Sequence, residues 1–313
     1  MVNSQNALAA VKAVILETKK AVKGKDEIIL RIMLAILARG HILLEDIPGV
    51  GKTTIAMAFA KAMSLEEKRM QFTPDVLPSD VTGFSVYNKS TGNFDYKAGV
   101  CMCNLFLADE INRTSSKTQS ALLEVMEEGR VTVDGITREL PKPYIVIATQ
   151  NPIGSVGTQL LPESQLDRFM LKMSVGYPDI ESEIDILKSK KHSDPLSEVE
   201  TVIAAEDILE LCDMVDNIHI SDKIYSYIAH LAEATRTHPM IKLGISPRGT
   251  IALTAVSKAV AFLQGRNYVI PDDILYIFDD VASHRILLTP KAKVNDVTVA
   301  KVLADIKGRV KMP

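Results

Sequence analysis

The segment that decides the fold runs from Glu45 to Thr54 and reads EDIPGVGKTT. It follows the short apolar run HILLE and leads into TTIAMAFAKAM, which has the composition of a helix. A strand, a glycine-containing loop and a helix in this order form the context of a phosphate-binding loop. The usual pattern has a glycine at the position that Asp46 occupies here. The segment therefore predicts a nucleotide site with one departure from the pattern.

A phosphate-binding loop works because successive backbone N–H groups point at the phosphates from a helix N-terminus. Gly49 and Gly51 permit a close approach of the backbone to the ligand. Lys52 supplies a positive charge for the outer phosphates, and Thr53 offers a hydroxyl to Mg²⁺. The tripeptide Gly-Lys-Thr is common by chance, so it does not establish the site alone.

Polar side chains at the ends of two further apolar runs strengthen the prediction. The run LFLADE ends in Asp109 and Glu110, and IATQNP contains Asn151. Phosphate-loop enzymes place an aspartate at the end of a neighbouring strand to hold Mg²⁺. We expect Asp109 to do so through the water shell of the ion, Glu110 to activate the attacking water, and Asn151 to orient that water or contact the γ-phosphate. Each residue alone could simply be a solvated strand end or a turn residue.

The order of predicted elements indicates two domains. Two helices are expected between about residues 7 and 39, and strands then alternate with helices, which predicts a doubly wound parallel sheet. Turn signals at Ser90-Thr91-Gly92-Asn93 and at Asp134-Gly135 predict two hairpins. Beyond residue 178 the pattern is mostly helical. We predict an α/β core over residues 1–178, with an insert at about 81–99 and a hairpin at about 129–143, and a helical lid over 179–313.

Composition narrows the function classes. The chain has 313 residues, a net charge of −3 and a pI of about 6.1, so nothing indicates nucleic acid or an anionic membrane as a partner. We find no signal peptide and no apolar run long enough to cross a bilayer, and we expect a cytoplasmic protein. Three cysteines argue against a disulfide framework, and we interpret Cys101 and Cys103 as structural thiols.

Taken in order, these segments resemble the MoxR-type AAA+ ATPases. The resemblance covers almost the whole chain and depends on the set EDIPGVGKT, FTPDVLPSDVTG, LFLADEINRT, TQSALLEVMEEGRVTVDG, VIATQNP, LPESQLDRF and SPRGT. It implies an AAA+ P-loop core, with a parallel sheet flanked by helices, followed by a smaller all-α lid. The insert and the hairpin resemble the two insertions of the AAA+ branch that contains magnesium chelatase and the MCM helicases.

The resemblance also implies a nucleotide-binding role for particular residues. MoxR-like loops often have Asp or another residue where Asp46 stands, so we interpret Asp46 as a tolerated departure with its carboxylate turned away from the phosphates. Thr53 and Asp109 are expected to hold Mg²⁺. The segment Val22-Lys23-Gly24-Lys25 lies where such proteins contact adenine, with Val22 and Gly24 as the expected contacts. The expected Walker A residues are Pro48, Gly49, Val50, Gly51, Lys52, Thr53 and Thr54.

The same resemblance implies four catalytic residues. Glu110 belongs with Asp109 to the Walker B motif, and Asn151 matches sensor 1. Arg168, in LDRF, matches the arginine finger, and Arg248, in SPRGT, matches sensor 2. Without the resemblance, either arginine could be an ordinary surface residue.

The function that the resemblance implies is Mg²⁺-dependent ATP hydrolysis in a homo-oligomeric ring, expected to be a hexamer, that remodels or matures a client protein. The resemblance implies that the client is a protein that carries a von Willebrand factor A domain. Two other classes remain open: a nucleic-acid motor related to the MCM helicases, and a nucleotide-binding scaffold that does not hydrolyse ATP. Arg130 and Arg138 in the second hairpin are balanced by two acids, which gives little support to the motor. The presence of Glu110 argues against the scaffold.

Overall fold

The computed structural model describes residues 4–45, 50–151, 161–189 and 195–313. In the first part the helices are α1 (Ser4–Ala21), α2 (Asp26–Leu37), α3 (Lys52–Ala62), α4 (Pro78–Thr82), α5 (Ser116–Glu128) and α6 (Glu163–Leu166). The strands are β1 (Ile42–Glu45), β2 (Glu67–Gln71), β3 (Gly83–Asn88), β4 (Asn93–Ala98), β5 (Leu105–Asp109), β6 (Arg130–Val133), β7 (Ile136–Glu139), β8 (Ile145–Gln150) and β9 (Leu171–Met173).

Helices predominate from residue 180 onward. They are α7 (Ile180–Ser189), α8 (Ala205–Asp216), α9 (Asp222–Thr237), α10 (Pro247–Leu263), α11 (Pro271–Ala282), α12 (Pro290–Val294) and α13 (Val299–Arg309). The short strands β10 (Ile241–Leu243) and β11 (Leu287–Leu288) pair with each other. Helices α10 and α11 begin at prolines, whose fixed φ suits the first helical position.

A parallel sheet with the strand order β2-β5-β8-β1-β9 lies at the centre of the α/β part. Every residue of β5 and of β8 is buried, as expected for strands that are covered by helices on both faces. Strand β8 lies between β1 and β5. The chain segments that leave the carboxyl ends of these three strands are therefore neighbours. The predicted α/β fold class is confirmed.

Two strands of this sheet were not predicted. Strand β2 has the sequence EKRMQ, is only partly buried and lies at one edge of the sheet, so it lacks the apolar run of a central strand. Strand β9, at the other edge, has only 3 residues. Edge strands are covered less completely than central ones, and their hydrophobic pattern is correspondingly weaker.

Two antiparallel hairpins extend from the core. Strands β3 and β4 pair from Gly83↔Ala98 to Asn88↔Asn93, within the predicted insert. Strands β6 and β7 pair around Asp134 and Gly135, which both have positive φ as a tight hairpin turn requires. The guanidinium of Arg138 lies 3.9 Å from the centre of the Tyr96 ring, so the two hairpins contact each other.

The helical part packs directly against the first two helices. Arg39, just after α2, forms ion pairs with Asp213 and Asp216 of α8. Arg31 of α2 donates from Nε to Asp280 of α11 at 2.6 Å. One cluster of buried apolar residues runs through both parts. The boundary at residue 178 stays a prediction.

The cysteines are free and buried. Burial raises the pKa of Cys101 and of Cys103 to about 12, so both remain protonated near neutral pH and are poor nucleophiles. Within the described ranges, no group of three or more His, Cys, Asp and Glu side chains has the geometry of a metal site. A helix able to cross a membrane is likewise absent from those ranges.

Candidate nucleotide site

The phosphate-loop end of the site is defined by Gly51 and α3. Gly51 has φ +88°, a left-handed conformation that favours glycine, and no atom of the described residues lies within 4 Å of the position that a Cβ would take. Gly51, which precedes α3, has no side chain that could cap the first N–H groups of the helix. The first N–H groups of α3 can therefore serve an anion. Lys52, the first residue of α3, is buried. Asp46, Pro48 and Gly49 lie outside the described residues.

Asp109, at the end of β5, is held by two neighbouring strands. Thr149 of β8 donates from Oγ1 to Asp109 Oδ1 at 2.5 Å, and Arg69 of β2 donates from Nη2 to Oδ2 at 2.8 Å. The backbone N–H of Glu110 donates to Thr149 Oγ1 at 2.8 Å. The Thr149 hydroxyl therefore links both acids through one oxygen. An ionised carboxylate has about four acceptor positions, so Asp109 can also accept from water around a metal ion.

Glu110 occupies an unusual backbone conformation. Its φ of 57° and ψ of 48° lie in the left-handed region, which is uncommon for residues other than glycine. Arg113 donates from Nη1 to Glu110 Oε2 at 2.7 Å. The Glu110 side chain is only 14% exposed. Residues in sparsely populated backbone conformations cluster at functional sites.

Asn151, which follows β8, has a side-chain acceptor to offer a ligand. Its backbone is fixed by Asn112, which donates from Nδ2 to Asn151 O at 3.2 Å and accepts from Asn151 N at 3.3 Å. The Oδ1 atom of Asn151 is buried and has no hydrogen-bond partner among the described residues. Leaving such an atom unsatisfied costs roughly 1–3 kcal/mol. A bound ligand or an ordered water would satisfy it.

These features fit ATP with Mg²⁺. The strand order brings Asn151 between the start of α3 and the acids that follow β5. The N-terminus of α3 suits phosphate, and the Asp109 carboxylate suits a hydrated cation. The unsatisfied Asn151 Oδ1 suits a water that donates to it. The donor and acceptor set therefore has the chemistry that a magnesium nucleotide requires.

The predicted adenine segment is packed firmly against the start of α7. A Cβ added at Gly24 would lie 2.1 Å from Ser182 Oγ, and Gly24 has φ +68°. Lys25, which is buried, donates from Nζ to the carbonyls of Val175, Gly176 and Tyr177 at 2.8, 2.9 and 2.7 Å. Val22 is also buried. The role of Val22 and Gly24 in binding adenine stays a prediction.

Arg168 and Arg248 meet at a different place. Both bind the carboxylate of Glu127 on α5, Arg168 through Oε2 and Arg248 through Oε1. They line a cavity of about 220 Å³ with Arg39, His41 and Arg285, among others. The described residues that line this cavity do not include Lys52, Asp109 or Glu110. The structure thus brings the two arginines together at a cavity that Asp109 and Glu110 do not line.

Arg285 fixes the segment that bears Arg168. It is buried and donates to the Asp167 carboxylate at 2.8 Å and to the carbonyls of Phe169 and Met170 at 2.6 and 3.2 Å. Sequence reasoning missed Arg285, Glu127, Thr149 and Asn112. Thr149 and Asn112 left a weak signal, since each is a polar residue beside a buried strand and a predicted site residue. Glu127 and Arg285 left none, because helix-end charges are ordinary.

Replacing Thr149 with valine tests the link between the acids. Valine keeps the shape but removes the hydroxyl that binds Asp109 and the Glu110 amide. Loss of a group that orients a metal ligand typically costs about 10- to 100-fold in metal affinity or activity. We expect Mg²⁺-dependent hydrolysis, measured by phosphate release across a Mg²⁺ titration, to fall by that amount.

Thr149→Ser should recover much of this loss because serine restores the hydroxyl. Thr132→Val is the matched control, since the Thr132 hydroxyl is exposed on β6 and pairs with Thr137. If Thr149→Val had the same Mg²⁺ dependence and rate as the parent, the link would have no functional importance.

Comparison with known proteins agrees with this fold. Residues 41–171 match the family described as ATPase family associated with various cellular activities (AAA), and residues 233–306 match the AAA lid domain. The matched segments include β1, β5 and β8 and the residues that end them. Arg168 falls in the first match and Arg248 in the second.

Relatives and a solved structure match over most of their lengths. The uncharacterized protein YeaC of Bacillus subtilis (strain 168) is 50% identical over 93% of this chain and 91% of its own. Chaperone MoxR1 of Mycobacterium tuberculosis is 36% identical over 96% of this chain and 81% of its own. A crystal structure of a candidate ATPase from Cytophaga hutchinsonii superposes with a TM-score of 0.92 at 38% identity, over 99% of this chain and 97% of that one. This chain therefore belongs to the family of MoxR-type AAA+ ATPases.

Proposed function

We propose that the protein hydrolyses ATP to ADP and phosphate with Mg²⁺, in a homo-oligomeric ring whose sites each lie between two subunits. The observation that carries this proposal is the separation of the site into two parts. One part holds Asp109, Glu110 and Asn151 at the carboxyl ends of the central strands. The other holds Arg168 and Arg248 on one carboxylate. A second subunit can bring the arginines of one chain to the phosphates of another.

Within one subunit we assign binding to the loop and chemistry to the acids. Lys52 binds the outer phosphates, and Val22 and Gly24 contact adenine. Thr53 and Asp109 hold Mg²⁺, which neutralises charge on the phosphates when bound. The remaining phosphate contacts belong to Pro48, Gly49, Val50, Gly51 and Thr54.

Glu110 acts as the general base for the attacking water in this proposal. Its carboxylate accepts the proton while Asn151 orients the water through Oδ1, which has no other partner among the described residues. Thr149 and Asn112 keep these groups in place through the bonds described above. Arg113, which pairs with Glu110, must leave one lone pair of the carboxylate available to the water.

The arginines complete the site from the neighbouring subunit. Charge grows on the phosphoryl oxygens during transfer, and a guanidinium placed there stabilises the transition state more than the ground state. Arg168 is assigned as the arginine finger and Arg248 as sensor 2. Because both bind Glu127, we assign both to the same subunit edge. A hexamer is the expected ring.

We further propose that hydrolysis moves the helical part against the core and so remodels or matures a client protein in the cytoplasm. The name of the mycobacterial relative, Chaperone MoxR1, supports a chaperone-like role. A client with a von Willebrand factor A domain rests on the family resemblance alone. Nucleic acid is not an expected partner.

Replacing Lys52 with alanine tests the proposed phosphate site. Loss of a hydrogen bond to a charged group costs about 1.5–3 kcal/mol, so ATP affinity should fall about 10- to 100-fold. Calorimetry with Mg²⁺ and ATP measures the affinity, and phosphate release measures hydrolysis, which should be lost. Lys61→Ala is the matched control, since Lys61 also lies on α3 but binds Leu196 O. Parental binding and hydrolysis by Lys52→Ala would reject the site.

A further inference from the structure

We propose that Glu127 is a positioning residue that holds Arg168 and Arg248 in the arrangement in which they enter the nucleotide site of the neighbouring subunit. The inference rests on the proposed function and assigns a role to a residue that the nucleotide site of its own chain does not include. Each carboxylate oxygen of Glu127 binds one guanidinium. Arg168 also donates from Nη1 to Leu123 O, one helical turn earlier on α5, at 3.1 Å.

Glu127 lies on a well-defined helix end. Helix α5 is capped at its start by Ser115, whose hydroxyl accepts from the backbone N–H of Thr118. It is followed by Gly129, which has φ 63° and so adopts the left-handed conformation that closes many helices. Apolar residues on the inner face of α5 are buried in the core. The carboxylate is therefore presented from a fixed backbone.

The backbones that bear the two arginines are joined behind their side chains. Ser246 donates from its hydroxyl to both carboxylate oxygens of Asp167, at 2.9 and 2.8 Å. Ser246 also caps α10 by accepting from Gly249 N at 3.0 Å. Asp167 precedes Arg168, and Ser246 lies two residues before Arg248. This connection fixes where the arginine side chains start but not where their guanidinium groups end.

Glu127 supplies the missing restraint on the guanidinium groups. An arginine side chain has about 2 kcal/mol of rotamer entropy, and two guanidinium ions at one cavity repel each other. The buried guanidinium of Arg285 adds a third positive charge behind them. One carboxylate that binds both Arg168 and Arg248 offsets the repulsion and fixes their separation. An arginine has five N–H donors, so donors remain on both groups for a phosphate.

The exposure of these groups separates positioning from stabilisation of the fold. The side chains of Arg168, Glu127 and Arg248 are 31%, 39% and 43% exposed. Ion pairs this exposed contribute about 0–1 kcal/mol to folding. Loss of the Glu127 charge should therefore leave the fold intact and act on the rate of the chemical step.

Glu127→Gln is the direct test. Glutamine keeps the length of the side chain, but its amide has one acceptor oxygen and an NH₂ group that opposes the second guanidinium. Misplacement of a catalytic group by about 1 Å can cost about 100-fold, so we expect kcat to fall by up to that factor. The KM for ATP and the midpoint of thermal unfolding should stay close to the parental values. Glu128→Gln is the matched control, because Glu128 follows on the same helix and pairs with Arg130.

A mixing experiment shows whether Glu127 acts through the arginines. Glu127→Gln subunits should regain activity when mixed with Lys52→Ala subunits, because some interfaces then join an intact loop to an intact arginine pair. Glu127→Gln subunits should regain no activity when mixed with Arg168→Ala subunits. Every interface in that mixture has an arginine pair that is either misplaced or incomplete. A mixture of Lys52→Ala with Arg168→Ala is the reference for exchange of subunits.

A parental kcat in Glu127→Gln would overturn the inference, as would renewed activity with Arg168→Ala. Failure to complement Lys52→Ala while the reference mixture is active would do the same. If the reference mixture is inactive, the measurement of kcat and KM decides alone, and a lower kcat at parental KM and stability supports the inference. Absence of ATPase activity in the parent would instead contradict the proposed function.

Discussion

Replacing Arg168 with alanine is expected to lower the rate of ATP hydrolysis about 10³- to 10⁵-fold, the range found for arginine fingers. ATP affinity should stay near the parental value, because the guanidinium acts on charge that develops in the transition state. Single-turnover hydrolysis measures the rate, and calorimetry measures the affinity. Arg130→Ala is the control, since Arg130 is an exposed arginine nearby that pairs with Glu128.

Mixing makes the same variant a test of the ring. Arg168→Ala and Lys52→Ala are each expected to be inactive alone. Under conditions of subunit exchange, some interfaces combine an intact phosphate loop with an intact finger, and activity should partly return. Arg248→Ala should behave like Arg168→Ala in this mixture because both arginines bind Glu127. A monomer with full ATPase activity would reject the shared site.

Stable mixed rings that show no activity at any ratio of the two variants would leave two explanations. Either Arg168 does not act across the interface, or the ring needs every site to work at once. Rings with a single Lys52→Ala subunit among parental subunits separate these two cases. Activity in proportion to the number of intact sites would indicate that Arg168 does not act across the interface. Complete loss of activity would indicate that the ring needs every site to work at once.

The buried strands and the residues that end them could be predicted from the sequence. The continuous apolar runs of β5 and β8 predict strands that are covered on both faces, and parallel pairing then brings their carboxyl ends together. Asp109 is the last residue of β5, Glu110 follows it, and Asn151 follows β8. Local pattern was sufficient here because each residue is placed by the strand immediately before it.

Contacts between distant elements could not be predicted in the same way. Arg69 of β2 pairs with Asp109. Because β2 is an edge strand with a charged sequence, its residues do not show the apolar pattern that predicts a strand. Glu127 and Arg248 are 121 residues apart in the chain and meet only because α5 and α10 lie beside the same cavity. Periodicity gives the type of an element and its buried face. It does not give strand order or the partner of a surface charge.

Replacing Glu110 with glutamine is expected to keep ATP binding and to lower hydrolysis about 10²- to 10⁴-fold, the usual contribution of a general base. The amide keeps the shape of the side chain, and its oxygen can still accept from Arg113. Asp109→Asn should instead weaken Mg²⁺-dependent binding, because the lost charge faces the cation. Glu210→Gln, an exposed position on α8, is the control.

The two acid variants must differ for the assigned roles to hold. If Glu110→Gln hydrolysed ATP at nearly the parental rate, Glu110 would not be the base, and the Glu110–Arg113 pair would be structural. If both variants lost binding equally, both acids would serve the metal.

A Glu110→Gln protein that binds ATP without turnover should stay in the nucleotide-bound state. We expect the protein to bind its client in that state. Affinity capture with Mg²⁺ and ATP should then retain a protein that Lys52→Ala, which cannot enter that state, does not retain. Equal capture by both variants would argue that nucleotide binding does not control the client.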